Sequence, residues 1–335
     1  MATMKDVALL AGVSTATVSR ALTAPEKVLL STRTRVENAA TTVGYKTTLA
    51  SRTARKNDSK TIIVIVPDIT DPYFSEIIKG IEDVAFKHNY LVLIGDNQQK
   101  EKHDPSFINL ALAKQAEGMI LLGADIPFGI NKSDQHDLPP MVMACEYDPD
   151  LKLPTVHIDN LTSTYKAINF LIKLGHSKIA QISGPQNASL SNFRHQGYLQ
   201  GLRRAKINIK PEYTCYGEFS YESGAKAIRK LFSLAQPPTA IFCHSDTMAI
   251  GAMKEIKRLG FRIPEDVSIV GFDDIHFAKY CDPPLTTVAQ PSYEIGCEAM
   301  LMILERLQGN EVHSGSRLLD STLVIRGSAA CLTSF

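Results

Sequence analysis

The chain has 335 residues, of which 44% are apolar and 21% are charged, and its formal net charge is +1. This composition is typical of a soluble globular protein, and the length exceeds that of one ordinary compact domain. No run of about 18 apolar residues predicts a membrane span. No basic stretch followed by an apolar segment opens the chain, and six scattered cysteines form no C-x-x-C pair. We therefore expect a reduced cytoplasmic protein without a structural metal.

The small net charge hides an asymmetry between the two ends of the chain. Residues 1–60 contain ten Lys/Arg and four Asp/Glu, a balance of +6, whereas the remainder has 26 against 31, a balance of −5. A basic head on an otherwise acidic protein is suited to a polyanion such as nucleic acid. The alternative is a solvated basic tail, and the pattern within the head favours nucleic acid.

The head begins with two predicted helices joined by a tight turn. Thr3 is a suitable N-cap for a helix over residues 4–11, and Gly12 ends that helix. Ser14 can cap a second helix over residues 15–22. Two short helices joined by a turn that contains glycine are typical of a helix-turn-helix.

A third predicted helix completes the head. Ser31 can cap it, it covers residues 32–43, and Gly44 stops it. The apolar positions of the three helices predict one small shared core. Its expected members are Val7, Leu10, Val13, Val18, Leu22, Val36, Ala39, Ala40 and Val43.

The second helix presents small and hydroxyl side chains with one long cation. Small side chains permit close approach to a major groove, and hydroxyls can bond phosphates or base edges. Arg20 can donate two hydrogen bonds to a guanine edge. The alternative is a three-helix bundle whose polar face is merely solvated. The residues of this face are Thr15, Ala16, Thr17, Ser19 and Arg20.

The head resembles that of LacI/GalR-type repressors. The resemblance is carried by residues 4–8 followed by residues 13–22, an ungapped string at the expected N-terminal position. It implies a dimer whose two recognition helices read a palindromic operator. It also implies base contacts from Thr15, Ala16 and Arg20, and phosphate contacts from Ser14, Ser19 and Ser31.

Residues 46–60 form a polar, basic connector, which by composition is a weakly ordered linker. The resemblance implies a hinge helix that forms on DNA and wedges a leucine into the minor groove. Here the corresponding position carries Ala54, and Thr47 replaces the usual proline. Alanine is too small to fill an unstacked base step, so we expect a weaker kink and a more flexible hinge.

From Thr61 the pattern changes to short apolar runs that alternate with amphipathic stretches. Such alternation predicts parallel α/β sheets, and two successive series predict two lobes with a ligand cleft between them. We expect lobe 1 to comprise residues 61–159 plus 291–320, and lobe 2 residues 160–290 plus 321–335. The predicted strands cover residues 62–66, 90–94, 119–122, 141–144, 179–182, 240–243 and 267–270, and the predicted helices cover residues 73–88, 106–116 and 161–174.

The residues that follow these strands are the candidates for effector binding. Carboxylates accept hydrogen bonds from vicinal hydroxyls, and aromatic rings stack on a base or sugar. Two alternatives stay open, because Asp246 can be a helix N-cap, and Tyr73 and Phe74 can be ordinary core. The set is Tyr73, Phe74, Glu146, Arg194, Phe219, Asp246, Asp273 and Gln290.

The large domain is similar to the sensor domain of the same family, which is periplasmic-binding-protein-like. The matching stretches are residues 184–198, 238–249, 263–274 and 285–291. The full expectation is therefore an α/β fold with an N-terminal all-α helix-turn-helix head and a two-lobed sensor domain. No leucine-heptad tail of the kind found in the family's tetramers follows residue 327, which favours a homodimer.

A finer likeness, to the cytidine-responsive branch of the family, is carried by residues 2–8, 153–160, 280–287 and 315–318. It implies cytidine or a related nucleoside as effector, nucleoside uptake and catabolism genes as targets, and cooperation with the cAMP receptor protein on DNA. In the loop at residues 186–190 the chain lacks the Arg and Thr with which purine-responsive members hold their base. A nucleoside is therefore favoured over a free purine base.

Three alternatives remain beside this reading. The first is a repressor of the same family that responds to a sugar or a purine. The second is a solute-binding protein for periplasmic uptake, which the missing signal sequence and the basic head disfavour. The third is a nucleoside-processing enzyme that uses His244, Asp246 and Asp273 as acid–base groups. We find no nucleophile elbow, phosphate loop or metal cluster, and so expect no catalytic residues and no cofactor.

Overall fold

The computed structural model describes residues 3–23, 27–43, 45, 59–97, 115–123, 139–146, 153–309 and 315–332. These residues fall into two compact units, Met1–Lys60 and Thr61–Phe335. The connector positions 46–58, with Thr47 and Ala54, lie outside the described residues, as does Gly44.

The described residues of the first unit form three α-helices, α1 (Met4–Ala11), α2 (Thr15–Thr23) and α3 (Leu30–Thr42). Thr3 caps α1 as predicted, because its hydroxyl oxygen accepts from Asp6 N at 3.4 Å, while its backbone N–H donates to Asp6 Oδ2 at 2.7 Å in a capping box. Gly12 ends α1 in the left-handed conformation at φ 63°, which glycine adopts without steric cost. The Ser14 hydroxyl accepts from Thr17 N at 3.1 Å at the start of α2. The predicted helix-turn-helix is therefore confirmed.

Two details of the head differ from the predictions. Helix α3 begins at Leu30 with Leu29 at its N-cap and no side-chain cap bond, so Ser31 is its second residue and not its cap. Leu10 is 53% exposed, although it was assigned to the core. The buried face of α1 is formed by Val7, Ala8 and Ala11, and Leu10 points about 60° beyond the edge of that face because successive residues turn by about 100°.

In the part of the second unit that the structure describes, the strands form two six-stranded sheets. The first has the strand order β11-β5-β4-β3-β1-β2, and each of its pairings is parallel. Strands in a parallel sheet are covered on both faces, which explains the continuous apolar run of Ile62–Val66 in β1. The strands are β1 (Thr61–Val66), β2 (Leu91–Asp96), β3 (Gly118–Leu121), β4 (Met141–Ala144), β5 (Thr155–Ile158) and β11 (Arg317–Leu319).

The second sheet has the order β12-β10-β9-β8-β6-β7. Of its described pairings, β10–β12 is antiparallel and the others are parallel. Its strands are β6 (Ile179–Ser183), β7 (Thr214–Tyr216), β8 (Ala240–Cys243), β9 (Ser268–Asp273), β10 (Thr286–Ala289) and β12 (Thr322–Val324). The helices of the unit are α4 (Tyr73–Lys87), α5 (Asn160–Lys173), α6 (Ser189–Arg204), α7 (Tyr221–Phe232), α8 (Asp246–Arg258) and α9 (Ser292–Leu307).

The chain passes between the two sheets after β5, after β10 and after β11. Helix α9 returns to the first sheet and packs closely on α4, because Gly296 lets its backbone meet the Ile77 carbonyl. The expected pair of α/β lobes is thus present. Of the predicted helix 106–116, only Gln115 and Ala116 are described, and they are not helical.

Candidate effector cleft and DNA-recognition helix

Helix α2 turns one face inward and one face to solvent. Val18 and Ala21 are buried in the head core, while Thr15, Ala16 and Arg20 are exposed. Thr17 and Ser19 are half-buried, and the Thr17 hydroxyl lies 2.9 Å from that of Ser14. Ser14 and Ser31 are exposed at the starts of α2 and α3. The surface has the residue types and accessibility that groove contacts require, and the individual DNA contacts stay predictions.

A cavity of about 760 Å³ lies between the two lobes of the second unit. Residues at the carboxyl ends of β1, β3, β4 and β9 form part of its wall, and ligand sites of open α/β sheets lie at this end of the strands. Six of the eight predicted effector residues line it, namely Tyr73, Phe74, Glu146, Arg194, Phe219 and Asp273.

Arg194, on α6, is the buried cation of this cavity. Its Nε donates to Asn160 Oδ1 at 2.8 Å, and one terminal nitrogen donates to the His244 carbonyl. The guanidinium carbon lies 3.6 Å from the centre of the Phe272 ring, in a cation–π contact. Its other terminal nitrogen lies 3.7 Å from Asp273 Oδ1. These contacts hold the guanidinium in one orientation at the cavity wall.

Asp273 ends β9 and faces this guanidinium. Burial raises the pKa of its carboxyl to about 7, although Arg194 and the Gln290 amide favour the charged form. Gln290 donates to Asp273 Oδ1 at 2.8 Å from behind and does not line the cavity. The structure thus places Gln290 as a support for Asp273 and not in the cavity wall, whereas the sequence placed it in the effector set.

Asp246 also lies away from the cavity. It is fully buried, and its two oxygens accept from Thr287 Oγ1 at 2.6 Å and from Ile275 N at 2.9 Å. Burial, and then the nearby Asp273, raise its pKa well above the ordinary value. The alternative reading of Asp246 as an N-cap is wrong, because the hydroxyl of Ser245 caps α8 and Asp246 is its first residue. Asp246 therefore links β10, through Thr287, to the loop after β9, through Ile275.

The aromatic residues differ in how they meet the cavity. Tyr73 and Phe74 form an edge contact with ring centres 5.1 Å apart. Phe74 also packs into the apolar core. The Tyr73 hydroxyl is buried and has no hydrogen-bond partner of good geometry among the described residues, with the Cys145 thiol beside it. The Phe219 ring lies against Gly184, where any β-carbon would overlap it.

His244 is fully buried, is not among the residues that line the cavity, and accepts from Arg194 through its carbonyl oxygen. Burial, reinforced by Arg194, lowers its pKa well below the ordinary value, so the ring is neutral. Nδ1 accepts from Gly184 N at 3.4 Å, and Nε2 lies 3.2 Å from Gln181 Oε1 and donates to it in this tautomer. Both ring nitrogens are therefore engaged with protein groups.

Several cavity residues were not in the predicted effector set. Cys145 follows β4 with a φ of 74°, which is uncommon outside glycine, and burial raises the pKa of its thiol to about 12. All of these residues except Leu190 follow strands, with Asn160 two residues after β5, so position after a strand was the available signal. Leu190 lies in α6 and carries no such signal. The remaining wall residues are Pro67, Asp68, Asp71, Leu122, Cys145, Leu190, Glu218, Ser220 and Ser245, and Asn160 holds Arg194 from outside the wall.

Within the described part of the chain, no group of three or more His, Cys, Asp or Glu side chains is arranged to hold a metal ion. Among the same residues, no helix has the length and apolar character needed to cross a membrane.

Comparison with known proteins agrees with this geometry. The family model for bacterial regulatory proteins of the lacI family matches residues 3–48 of this chain. The family model for a periplasmic binding protein-like domain matches residues 168–329. The chain belongs to the LacI family of bacterial regulatory proteins. It is 56% identical to the HTH-type transcriptional repressor CytR of Escherichia coli (strain K12) over 331 residues, which are 99% of this chain and 97% of the relative.

More distant relatives share the whole architecture. The ribose operon repressor of Haemophilus influenzae is 34% identical and covers 98% of both chains. The lac repressor dimer bound to operator and the anti-inducer ONPF superposes with a TM-score of 0.81 at 26% identity, covering 98% of this chain and 99% of that one. The transcriptional regulator CelR–cellobiose complex gives a TM-score of 0.74 at 28% identity, covering 98% and 100%. The predicted fold class and family are confirmed.

This protein is accordingly a DNA-binding transcriptional repressor. Its helix-turn-helix is the DNA-binding part, and its two-lobed α/β unit is an effector-binding sensor domain.

Proposed function

We propose that this repressor responds to a nucleoside, with cytidine as the expected effector, and controls genes of nucleoside uptake and catabolism. The observation that carries the proposal is the composition of the 760 Å³ cavity between the lobes. Its wall offers the rings of Tyr73, Phe74 and Phe219 for a base to stack on. Glu146 and Asp273 can accept hydrogen bonds from ribose hydroxyls. The 56% identity to the repressor CytR supports the same effector class.

The residues behind the cavity suggest how binding reaches the rest of the chain. Asn160, which holds Arg194, is the first residue after the first passage between the lobes. Gln290, which holds Asp273, directly precedes the second passage. A ligand that engages Arg194 and Asp273 therefore acts on groups tied to two hinge segments. It shifts the lobe equilibrium only as far as its affinities for the two lobe arrangements differ.

The assembly and its partners form a second part of the proposal. We expect a cytoplasmic homodimer that presents two heads to a palindromic operator, and the dimeric lac repressor–operator structure supports this arrangement. The expected site residues on DNA are those of α2 with Ser14, Ser31 and Ala54. Cooperation with the cAMP receptor protein on DNA is proposed from the same resemblance, and the inducer then acts mainly by breaking that cooperation.

The proposed division of the chain is a head at residues 1–45, a hinge at residues 46–60 and a two-lobed sensor at residues 61–335. Binding without turnover is proposed for the sensor. The engagement of both His244 ring nitrogens and both Asp246 oxygens with protein groups supports this. A sugar or purine effector is the alternative within the family.

Calorimetry on the full chain with cytidine, uridine, adenosine, ribose and hypoxanthine tests the effector class. We expect cytidine to bind most tightly. Phe219→Leu should weaken cytidine by about tenfold, because it removes a stacking face. The control is Phe261→Leu, at an exposed ring that contacts Phe232 away from the cavity.

Two results would contradict the proposal. Tight binding of ribose or hypoxanthine without any nucleoside binding would assign the protein to another effector class. New products in chromatography after incubation with nucleosides would favour an enzyme.

A further inference from the structure

The cavity wall is strongly unbalanced in charge. Among the described residues that line it, Arg194 is the one cation. Asp273 is partly protonated near neutral pH because its pKa is about 7, and the carboxylates still outnumber the guanidinium. The acidic residues of the wall are Asp68, Asp71, Glu146, Glu218 and Asp273.

Arg194 is poorly placed to neutralise an anionic ligand. Its Nε and one terminal nitrogen already donate to Asn160 and to the His244 carbonyl, and the other terminal nitrogen is directed at Asp273. Its face is covered by the Phe272 ring. The charge of this guanidinium is therefore already compensated in part by Asp273, although its remaining N–H groups can still donate to a neutral ligand.

The space into which a ligand can extend is acidic as well. A second cavity of about 340 Å³ adjoins the first and shares Pro67, Glu146 and Glu218 with it. Among the described residues that line it, the other polar side chains, Asn97 and Asn187, are uncharged. Helix α6 begins beside it with no side-chain cap, but the partial charge of a helix end is about half a unit. The carboxylate of Glu218, which borders both cavities, carries a full charge and outweighs it.

An independent feature indicates that the main cavity receives a polar ligand. The Tyr73 hydroxyl is buried in the wall beside the Cys145 thiol, a weak hydrogen-bond partner, and has no partner of good geometry among the described residues. A buried hydroxyl left unpaired is costly, and a ligand hydroxyl or ring nitrogen would satisfy it. The cavity is thus built for a polar ligand while its charge disfavours an anion.

We propose that these carboxylates make the sensor selective by charge, so that it binds the uncharged nucleoside and rejects the 5′-phosphorylated nucleotide. The inference rests on the proposed function, since it concerns the same cleft. A phosphate monoester carries a charge of about −1.5 to −2 at neutral pH. Between like charges about 6 Å apart in a partly buried site, the repulsion is large enough to weaken binding by well over tenfold. The repressor would therefore sense nucleosides available for catabolism without interference from nucleotide pools.

The test is calorimetry on the full chain at low ionic strength with cytidine, cytidine 5′-monophosphate and 5′-O-acetylcytidine. The acetyl ester adds bulk at the same position without charge. We expect the monophosphate to bind at least roughly 30-fold more weakly than cytidine, and the ester within about fivefold. Glu218→Gln should reduce the ratio of monophosphate to cytidine dissociation constants by about fivefold. Glu222→Gln, an exposed carboxyl outside both cavities, should leave that ratio unchanged.

The outcomes distinguish a failure of the charge selection from a failure of the proposed nucleoside response. Equal binding of cytidine and its monophosphate would overturn charge selection and leave the nucleoside sensor intact. Equally weak binding of ester and monophosphate would assign the selection to size, which also overturns it. Absence of cytidine binding would remove the proposed function and, with it, the inference. Loss of discrimination as salt rises towards 1 M would support the electrostatic origin.

Discussion

The carboxyl of Asp273 should make the stability of this protein fall as pH rises through neutrality. The folded-state pKa is about 7, against an ordinary value of 3.8, and the main cause is burial. Because the folded state holds the proton more tightly than the unfolded state, protonation contributes stability below pH 3.8, and this contribution is lost as pH rises through 7. Between pH 5 and pH 8 the loss from this one group is about 2 to 3 kcal/mol.

Urea unfolding of the wild type and of Asp273→Asn at intervals from pH 5 to pH 8 measures this contribution. Asparagine keeps the oxygen that accepts from Gln290 but does not titrate. The wild-type free energy of unfolding should fall relative to the variant by roughly the amount above. Asp246 titrates in both proteins, and because Asp273 is one cause of its raised pKa, the difference includes that coupling. Glu222→Gln, at an exposed carboxyl, is the control. A wild-type-minus-variant difference that is constant across this pH range would refute the reasoning.

Three further predictions concern the head and hinge. Leu29→Ser supplies the missing side-chain cap of α3 and should stabilise the head by about 1 kcal/mol; an unchanged thermal unfolding midpoint would contradict this. Arg20→Lys should weaken operator binding by about 1–3 kcal/mol while sparing non-specific DNA, because the charge is kept and the paired donors are lost; equal losses on both DNAs in gel shifts would count against base contact. Ala54→Leu should make operator affinity depend more steeply on the spacing between the half-sites, as measured by gel shift. If the wild-type affinity already falls steeply when the half-sites are moved apart by one or two base pairs, the hinge is not loose.

Much of the fold could be predicted from the local sequence pattern. The Thr3 cap, the Gly12 stop and the capped start of α2 depend on neighbours a few residues apart, and the structure has them as predicted. The continuous apolar run of β1 predicted a strand covered on both faces. The short strands β11 and β12 carry no such run, and their partners are far away in sequence. They were therefore not predicted.

The site divides in the same way. Sequence alone predicted that residues after the strands, such as Glu146 and Asp273, belong together, because parallel strands bring their carboxyl ends to one edge. The structure adds Arg194 to them from within helix α6. Only the tertiary structure decided that Asp246 and Gln290 lie behind the cavity wall. A carboxylate that contacts ligand and one that ties two loops have the same local pattern. Asp246 differs because it bonds Thr287 and Ile275, which are distant from it in the chain and adjacent to it only after folding.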